Sequence, residues 1–199
     1  MRFCSACGRE VERRIPDNDD RERFVCAHCE TVHYQNPKIV VGCLPVWEDR
    51  VLLCRRAIEP RAGFWTLPAG FMENGETTLD GARRETWEEA RARTEAEELY
   101  TLFDLPHISQ VYMFYRARLA PPEFAAGPES TEVALFREDE IPWTDLAFPV
   151  VSATLEHFFE DRRNGSFRFR ARPLHRADWA KLDRKSTRLN SSHSSVSRM

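Results

Sequence analysis

No apolar run in the 199 residues approaches the length needed to cross a bilayer, and the N-terminus lacks the charged-then-apolar order of a secretory signal. The chain is therefore expected to work in the cytoplasm, away from membranes, with its cysteines reduced. No charge of one sign predominates either. Twenty-nine basic side chains against 32 acidic ones leave a formal net charge of −3, which gives no electrostatic case for nucleic acid as a partner. Internal repeats and a helix-turn-helix-like partner domain are also absent from the sequence. What remains is a composition 42% hydrophobic and 31% charged, that of a globular protein, and enough length for one domain with a real core plus a small appendage.

The last stretch, DRKSTRLNSSHSSVSRM, has no hydrophobic periodicity and is crowded with serine. Asp183 to His193 resembles the translation of a common sequencing adapter, so 183–199 is read as a non-native or disordered tail, with the natural C-terminus missing.

Cys4 and Cys7 form one C-x-x-C pair, and Cys26 and Cys29 a second. Each pair can make a tight knuckle, and two knuckles supply the four thiolates of a tetrahedral zinc site. Because protein fills every coordination position, the zinc is expected to be structural, and residues 1–36 are read as a zinc ribbon. Four unrelated thiols are the plainer alternative. His28 and His33 are not needed as ligands and are expected to face solvent. Cys43 and Cys54 lie in apolar runs and read as small buried side chains.

From Lys38 the text turns β-rich. KIVVGCLPVW and VLLCRR, separated by charged residues, predict a hairpin, with Pro45 at a bulge or edge. Thr77 and Asp80 predict a helix start, and the residues from Leu79 onward are mostly good helix formers. LYTLFDL, SQVYMFYRARL and EVALFR read as further strands, Pro121 to Ser130 as a loop, and a second helix is expected from Pro149 with Val151, Leu155, Phe158 and Phe159 on its apolar face. Trp65 and Trp143 are expected in the packing, and the arginines between Arg162 and Arg176 as solvated groups on a chain end. The order of elements indicates a mixed α/β sandwich over 37–182.

On the first helix Glu85, Glu88 and Glu89 fall at i, i+3 and i+4, so one face carries three carboxylates. Such a face is commonly just solvated. A hard divalent cation would offset the repulsion, and could bridge these oxygens to those of a phosphate. The full pattern is more restrictive: Gly70, five residues, Glu76, seven residues, Arg84-Glu85, two residues, Glu88-Glu89. It resembles the signature of the Nudix hydrolases, over roughly Lys38 to Arg163, and the ribbon with HYQNPKIVVG is similar to one subgroup of that family.

The resemblance implies an α/β/α sandwich and a magnesium- or manganese-dependent hydrolase that cleaves a diphosphate linked to another group. It implies that Glu85, Glu88, Glu89 and the carbonyl of Ala69 bind the metal ions, that Arg84 orients Glu85, and that Glu76 anchors the loop by pairing with Arg84. The general base would be a helix glutamate or a later one, Glu129 or Glu132, which also read as ordinary loop residues. The family usually has glycine where Arg91 stands and aliphatic residues at Thr86 and Ala92, which touches helix packing and termination but no proposed ligand.

Substrate choice is less legible. NADH-cleaving relatives carry a Pro-Trp-Pro-Phe array after Ser-Gln, whereas Val111-Tyr112-Met113-Phe114 follows Ser109-Gln110 here. The chain looks nearer to zinc-ribbon members associated with FAD and ADP-ribose, which would release AMP with FMN or ribose 5-phosphate. NADH remains the alternative substrate, and a nucleotide-sensing binding protein the alternative class. Tyr112, Phe114 and Tyr115 could stack on a ring or simply pack in the sheet, and Arg55, Arg56 and Arg61 could clamp phosphates or be solvated. By resemblance a homodimer is also expected.

Overall fold

A computed structural model describes residues 1–121 and 123–175 of the chain. The serine-rich tail lies outside the described residues. The chain divides into two compact units, residues 1–37 and the remainder from Lys38. Among the described residues no helix is long and apolar enough to cross a membrane.

The first unit is a three-stranded antiparallel sheet of β1 (Val11–Arg14), β2 (Arg23–Cys26) and β3 (Val32–His33). Its buried residues are few, with Cys4, Val25, Cys26 and His33 at the centre. So small an apolar core needs a further staple, and the four cysteines occupy that place.

The second unit is built on an eight-stranded mixed sheet. β4 (Lys38–Trp47) and β5 (Arg50–Arg56) form the expected hairpin around Glu48 and Asp49. β6 (Trp65–Thr66) pairs with β5, and β7 (Ala69–Phe71) with β4. After α1 (Thr78–Ala90) come β8 (Thr94–Leu105), β9 (Gln110–Leu119) and β10 (Ser130–Phe136), then α2 (Pro149–Asn164) and β11 (Arg170–Pro173). The main path runs β10-β5-β4-β9-β8-β11, with β4–β9 and β8–β11 parallel and the other pairs antiparallel.

Alternation along the central strands separates two layers. Val41, Cys43, Ala82 and Ala117 join α1 to one face, with Met113 and Tyr115 against them. Leu44, Phe103 and Phe114 meet Val151, Leu155, Phe158 and Phe159 of α2 on the other. Each such large side chain taken from water contributes about 1.5–3 kcal/mol. α2 begins with Pro149 in its first turn and stops at Gly165, whose positive φ of 65° closes the helix.

Three expectations need correction. Pro45 is neither at a bulge nor on an edge strand: β4 is interior, and Pro45 falls between the residues registered with β7, ending at Gly42, and those registered with β5, starting at Val46. Its missing N–H costs no antiparallel ladder bond there. Of the arginines after Arg162, Arg170 is half-buried in β11, registered with Thr101 of β8, and not simply solvated, whereas Arg172, registered with Phe103, is exposed as expected and Arg176 is outside the described residues. His33 is buried rather than exposed, whereas His28 does face solvent.

Candidate active site

Thr77 opens α1. Its hydroxyl accepts from the Asp80 amide at 3.1 Å and donates to the Asp80 carboxylate at 2.6 Å. The helix then carries Arg84, Glu85, Glu88 and Glu89 past the end of β7. Arg84 is the hub. Its guanidinium donates to both Glu76 oxygens at 3.0 and 2.9 Å, to Glu85 at 2.8 Å, to Glu88 at 3.0 Å and to the Phe71 carbonyl at 3.1 Å. Glu76 also accepts from the Glu73 amide at 2.7 Å. Arg84 first, and then that amide, hold the Glu76 carboxyl at about 2, well below the usual range.

The strand before the helix approaches it very closely. A Cβ on Gly70 would overlap the Glu85 carboxyl group, so this position needs the absence of a side chain and not a special turn. The neighbouring Ala69 amide donates to Glu89 Oε2 at 3.2 Å. Glu89 is only 5% exposed. Burial, reinforced by the charges of Glu85 and Glu129 and opposed by the Ala69 amide and Arg56, pushes its carboxyl up to about 8. Burial also raises Glu85, against the pull of Arg84 and with the charges of Glu88 and Glu129 adding to it. Carboxylates this repulsive and this poorly hydrated are suited to a divalent cation, and their all-oxygen set fits a hard one. Glu85, Glu88, Glu89 and the backbone at Ala69 are the groups that would hold it.

The two candidate glutamates beyond the loop part company here. Glu129 adds its charge to both Glu85 and Glu89. Glu132, on β10, instead pairs with Arg55 at 3.5 Å, both side chains about half exposed. The arginines divide likewise. Arg56 donates to the Pro60 carbonyl at 2.9 Å, stacks on the Phe148 ring at 5.2 Å, and places its charge near Glu89 and Tyr112. Arg55 is tied to Glu132 and to the Gly63 carbonyl, and Arg61 stacks on Phe64 at 5.2 Å.

Among the aromatics, Tyr112 is partly buried beside the main core, and burial raises its hydroxyl pKa against the opposing charge of Arg56. Phe114 corrects an expectation: it is 1% exposed within the core, leaving no free ring face for a substrate. Tyr115 points to the other layer, where its hydroxyl meets Thr78 at 2.7 Å.

The departures from the expected pattern have physical compensations. Arg91 adopts the left-handed conformation of a helix-ending glycine, at φ 49°, and its amide donates to the Trp87 carbonyl at 2.9 Å. Thr86 is buried but donates its hydroxyl to the Ala82 carbonyl at 2.7 Å, and Ala92 fills a small core with Leu52, Cys54 and Leu119. Sequence reasoning missed Phe148, whose only signal was its place before the helix-opening Pro149. It also missed Ala125 and Gly127, whose amides donate to the Ala90 and Glu89 carbonyls at the end of α1, signalled only by a glycine among prolines.

In the first unit the sulfurs of Cys4, Cys7, Cys26 and Cys29 all lie within 4.8 Å of one another. The closest pairs cross between the knuckles, Cys4 to Cys29 at 3.7 Å and Cys7 to Cys26 at 3.5 Å. Thiolates about 2.3 Å from a tetrahedral zinc would be on the order of 3.8 Å apart, so the cluster fits the ion. The Ala6 amide, 3.4 Å from Cys4 Sγ, and the buried His33 Nε2, 3.3 Å from the same sulfur, supply polar support around it.

A carboxylate-bearing helix packs on a mixed sheet, with an arginine at its hub and a glycine strand against it, and together they present the oxygen donors that a hard divalent ion takes. Residues 36–162 match the family described as NUDIX domain, and residues 2–35 match the one described as Nudix N-terminal, a zinc ribbon. The chain belongs to the Nudix family of pyrophosphohydrolases, in its zinc-ribbon branch. A solved Nudix hydrolase from Nitrosomonas europaea is 55% identical with a TM-score of 0.86, covering 88% of this chain and 100% of its own. The NAD-capped RNA hydrolase NudC of Edwardsiella ictaluri is 30% identical over 165 residues, 80% of this chain and 59% of the relative's length. An ADP-ribose pyrophosphatase from Streptococcus suis shares the fold at 23% identity and a TM-score of 0.54, over 70% of this chain and 100% of its own.

Proposed function

We propose that this protein uses magnesium or manganese to hydrolyse the diphosphate of a nucleoside diphosphate linked to a second group, with FAD or ADP-ribose as substrate and AMP as a product. The observation that carries the reading is the carboxylate face of α1, with Glu89 held by the Ala69 amide, Glu85 against Gly70, and Arg84 gripping Glu85, Glu88 and Glu76, while the charges of Glu129 and Arg56 both reach Glu89. Carboxylates on one side and a guanidinium whose charge reaches them can hold a diphosphate between a metal-binding face and a cationic one.

In this reading Glu85, Glu88 and Glu89 present their oxygens on one side, and Arg56 meets phosphate oxygens on the other. The divalent ion, when bound, neutralises phosphate charge, lowers the pKa of attacking water and stabilises the leaving phosphate. Water adds to one phosphorus, and the bridging oxygen departs with the other phosphate. Glu129 is the favoured acceptor of the water's proton because its charge lies at the cluster, whereas that of Glu132 is engaged by Arg55. Tyr112, partly buried and within the influence of the Arg56 charge, offers an aromatic surface for a base or flavin ring.

A second reading, an NAD-linked substrate, is favoured by the names of the NudC relatives. Against it, Val111 to Phe114 run without proline and are registered on both sides, with Ile39 to Gly42 and with Asp104 to Thr101. The ribbon also carries six arginines against seven carboxylates over residues 1–37, a poor match for a long polyanion.

The test is AMP release from FAD, ADP-ribose and NADH, each with magnesium or manganese, by the wild type beside Glu89→Gln. Release that the substitution abolishes supports the hydrolase, and the fastest substrate identifies the subgroup. A folded, zinc-loaded wild type that releases AMP from none of the three would overturn the assignment in favour of another nucleotide or a binding role.

A further inference from the structure

The last turn of α1 leaves carbonyls that the helix itself cannot satisfy. Two of them are taken by backbone amides of the proline-rich loop: Ala125 N–H donates to Ala90 O at 2.9 Å, and Gly127 N–H to Glu89 O at 3.0 Å. Phe124 packs beside Ala90, Ala92 and Leu119 in the small core beneath them. Gly127 is buried against the helix backbone, and a Cβ there would overlap the carbonyl oxygen of Glu88. Its φ is not in the left-handed range, so the demand is for space alone.

The other end of the segment is tied as well. Ser130 N–H donates to Gly127 O at 3.1 Å, and the Glu129 carbonyl accepts from Ala57 N–H at 2.8 Å. Ala57 directly follows Arg56. The register of β10 on β5 then shifts between Ser130 and Glu132, a bulge of the kind that re-aims side chains. Glu129 thus sits on a short span fixed at one end to the backbone of Glu89 and at the other to the residue after Arg56. Main-chain bonds locate it relative to both groups.

We propose that Gly127 is a positioning residue for hydrolysis: its bare backbone seats the loop on the carbonyls of Glu88 and Glu89, and that seat sets where Glu129 stands beside the metal-binding carboxylates. The inference rests on the hydrolase reading above. A misplacement near 1 Å can cost on the order of 100-fold in rate, so a methyl group that lifts the loop acts on the chemistry and not on distant binding contacts. A merely structural glycine would lower stability without touching the step in which Glu129 takes part.

The experiment is a double-substitution cycle with Gly127→Ala, Glu129→Gln and both together, measuring kcat and KM on the fastest of FAD, ADP-ribose and NADH, with zinc content checked in each. Gly127→Ala is expected to lower kcat by about tenfold or more with KM changed less than about threefold. The double variant is expected to be no slower than Glu129→Gln alone. Full kcat in Gly127→Ala, or losses that multiply in the double variant, would overturn the proposal. Should Gly127→Ala not fold, Pro128→Gly loosens the one residue between the seat and Glu129 without filling the seat, and a several-fold fall in kcat is expected. Wild-type kcat in that variant would count against the proposal, as would rapid exchange of the Gly127 amide in the wild type, where protection comparable to α1 is expected. If Glu89→Gln is inactive while Gly127→Ala is unaffected, only this inference fails. If the wild type releases AMP from none of FAD, ADP-ribose and NADH, it falls together with the hydrolase reading.

Discussion

Arg84 and Glu76 meet at two points, Nε to Oε2 at 3.0 Å and Nη2 to Oε1 at 2.9 Å, across eight residues of chain. The same guanidinium grips Glu85, so the loop before α1 and the carboxylate face of α1 share one fixed centre. A lysine would keep the charge but could not make the fork. Arg84→Lys and Glu76→Gln are each expected to lower kcat/KM by about 10- to 100-fold, the usual cost of losing a group that orients metal ligands. Steady-state kinetics on the fastest substrate checks this, and wild-type rates in Arg84→Lys would show that the fork does not matter.

Glu129 and Glu132 are three residues apart but do different things. The first adds its charge to the Glu85–Glu89 pair, and the second is held by Arg55 at 3.5 Å. Loss of a general base slows hydrolysis by roughly 100- to 10,000-fold, so Glu129→Gln is expected to fall in that range and Glu132→Gln to stay within about threefold of wild type. Single-turnover rates at saturating metal would decide it. The reverse ranking would move the base to β10.

Much of this was legible because the signals were local. The Thr77 cap, the Pro149 start, the paired cysteines and the carboxylate spacing each depend on residues within a few positions of one another. The misses depend on long-range contacts. Nothing near Phe114 in sequence says which of the alternating aromatics of β9 faces the α2 layer. β11 was unreadable because Arg170-Ala-Arg-Pro173 has no strand-like text, and it forms by pairing with β8 while Arg170 pairs with Asp161 of α2. His33 reads as a surface residue until the fold brings it to the sulfur of Cys4, 29 positions away. Glu129 could be separated from Glu132 only once the loop was placed on α1.

Zinc removal should act locally. The ribbon has little apolar core of its own, and its four thiolates converge within 4.8 Å. Cys26→Ser, at a fully buried ligand, is expected to drop zinc content below one equivalent and to release the amides of β1–β3 to exchange. The β8 and β9 amides belong to a separate core and are expected to keep their protection. Metal analysis with hydrogen exchange tests this, and retention of both zinc and β1–β3 protection would count against a metal-dependent ribbon.

The acid stability of the second unit should depend on Asp161. This residue is 3% exposed; it accepts from the Tyr100 hydroxyl at 2.8 Å and from the Arg168 amide at 3.2 Å, and it is paired through both oxygens with Arg170. Arg170 first, then Tyr100 and the amide, lower its carboxyl from 3.8 to about 2 against the effect of burial. A folded pKa below the unfolded one stabilises the native state above the unfolded value, and that contribution is lost as pH falls through the folded one. The shift corresponds to on the order of 2 kcal/mol at neutral pH. Asp161→Asn is therefore expected to be less stable than wild type by that amount at pH 7, with the gap closing as pH falls from about 4 towards 2. Denaturant midpoints for the pair across this range measure it. A gap that stays constant with pH would assign the loss to packing around Tyr100 and Arg170 instead of to the charge of Asp161.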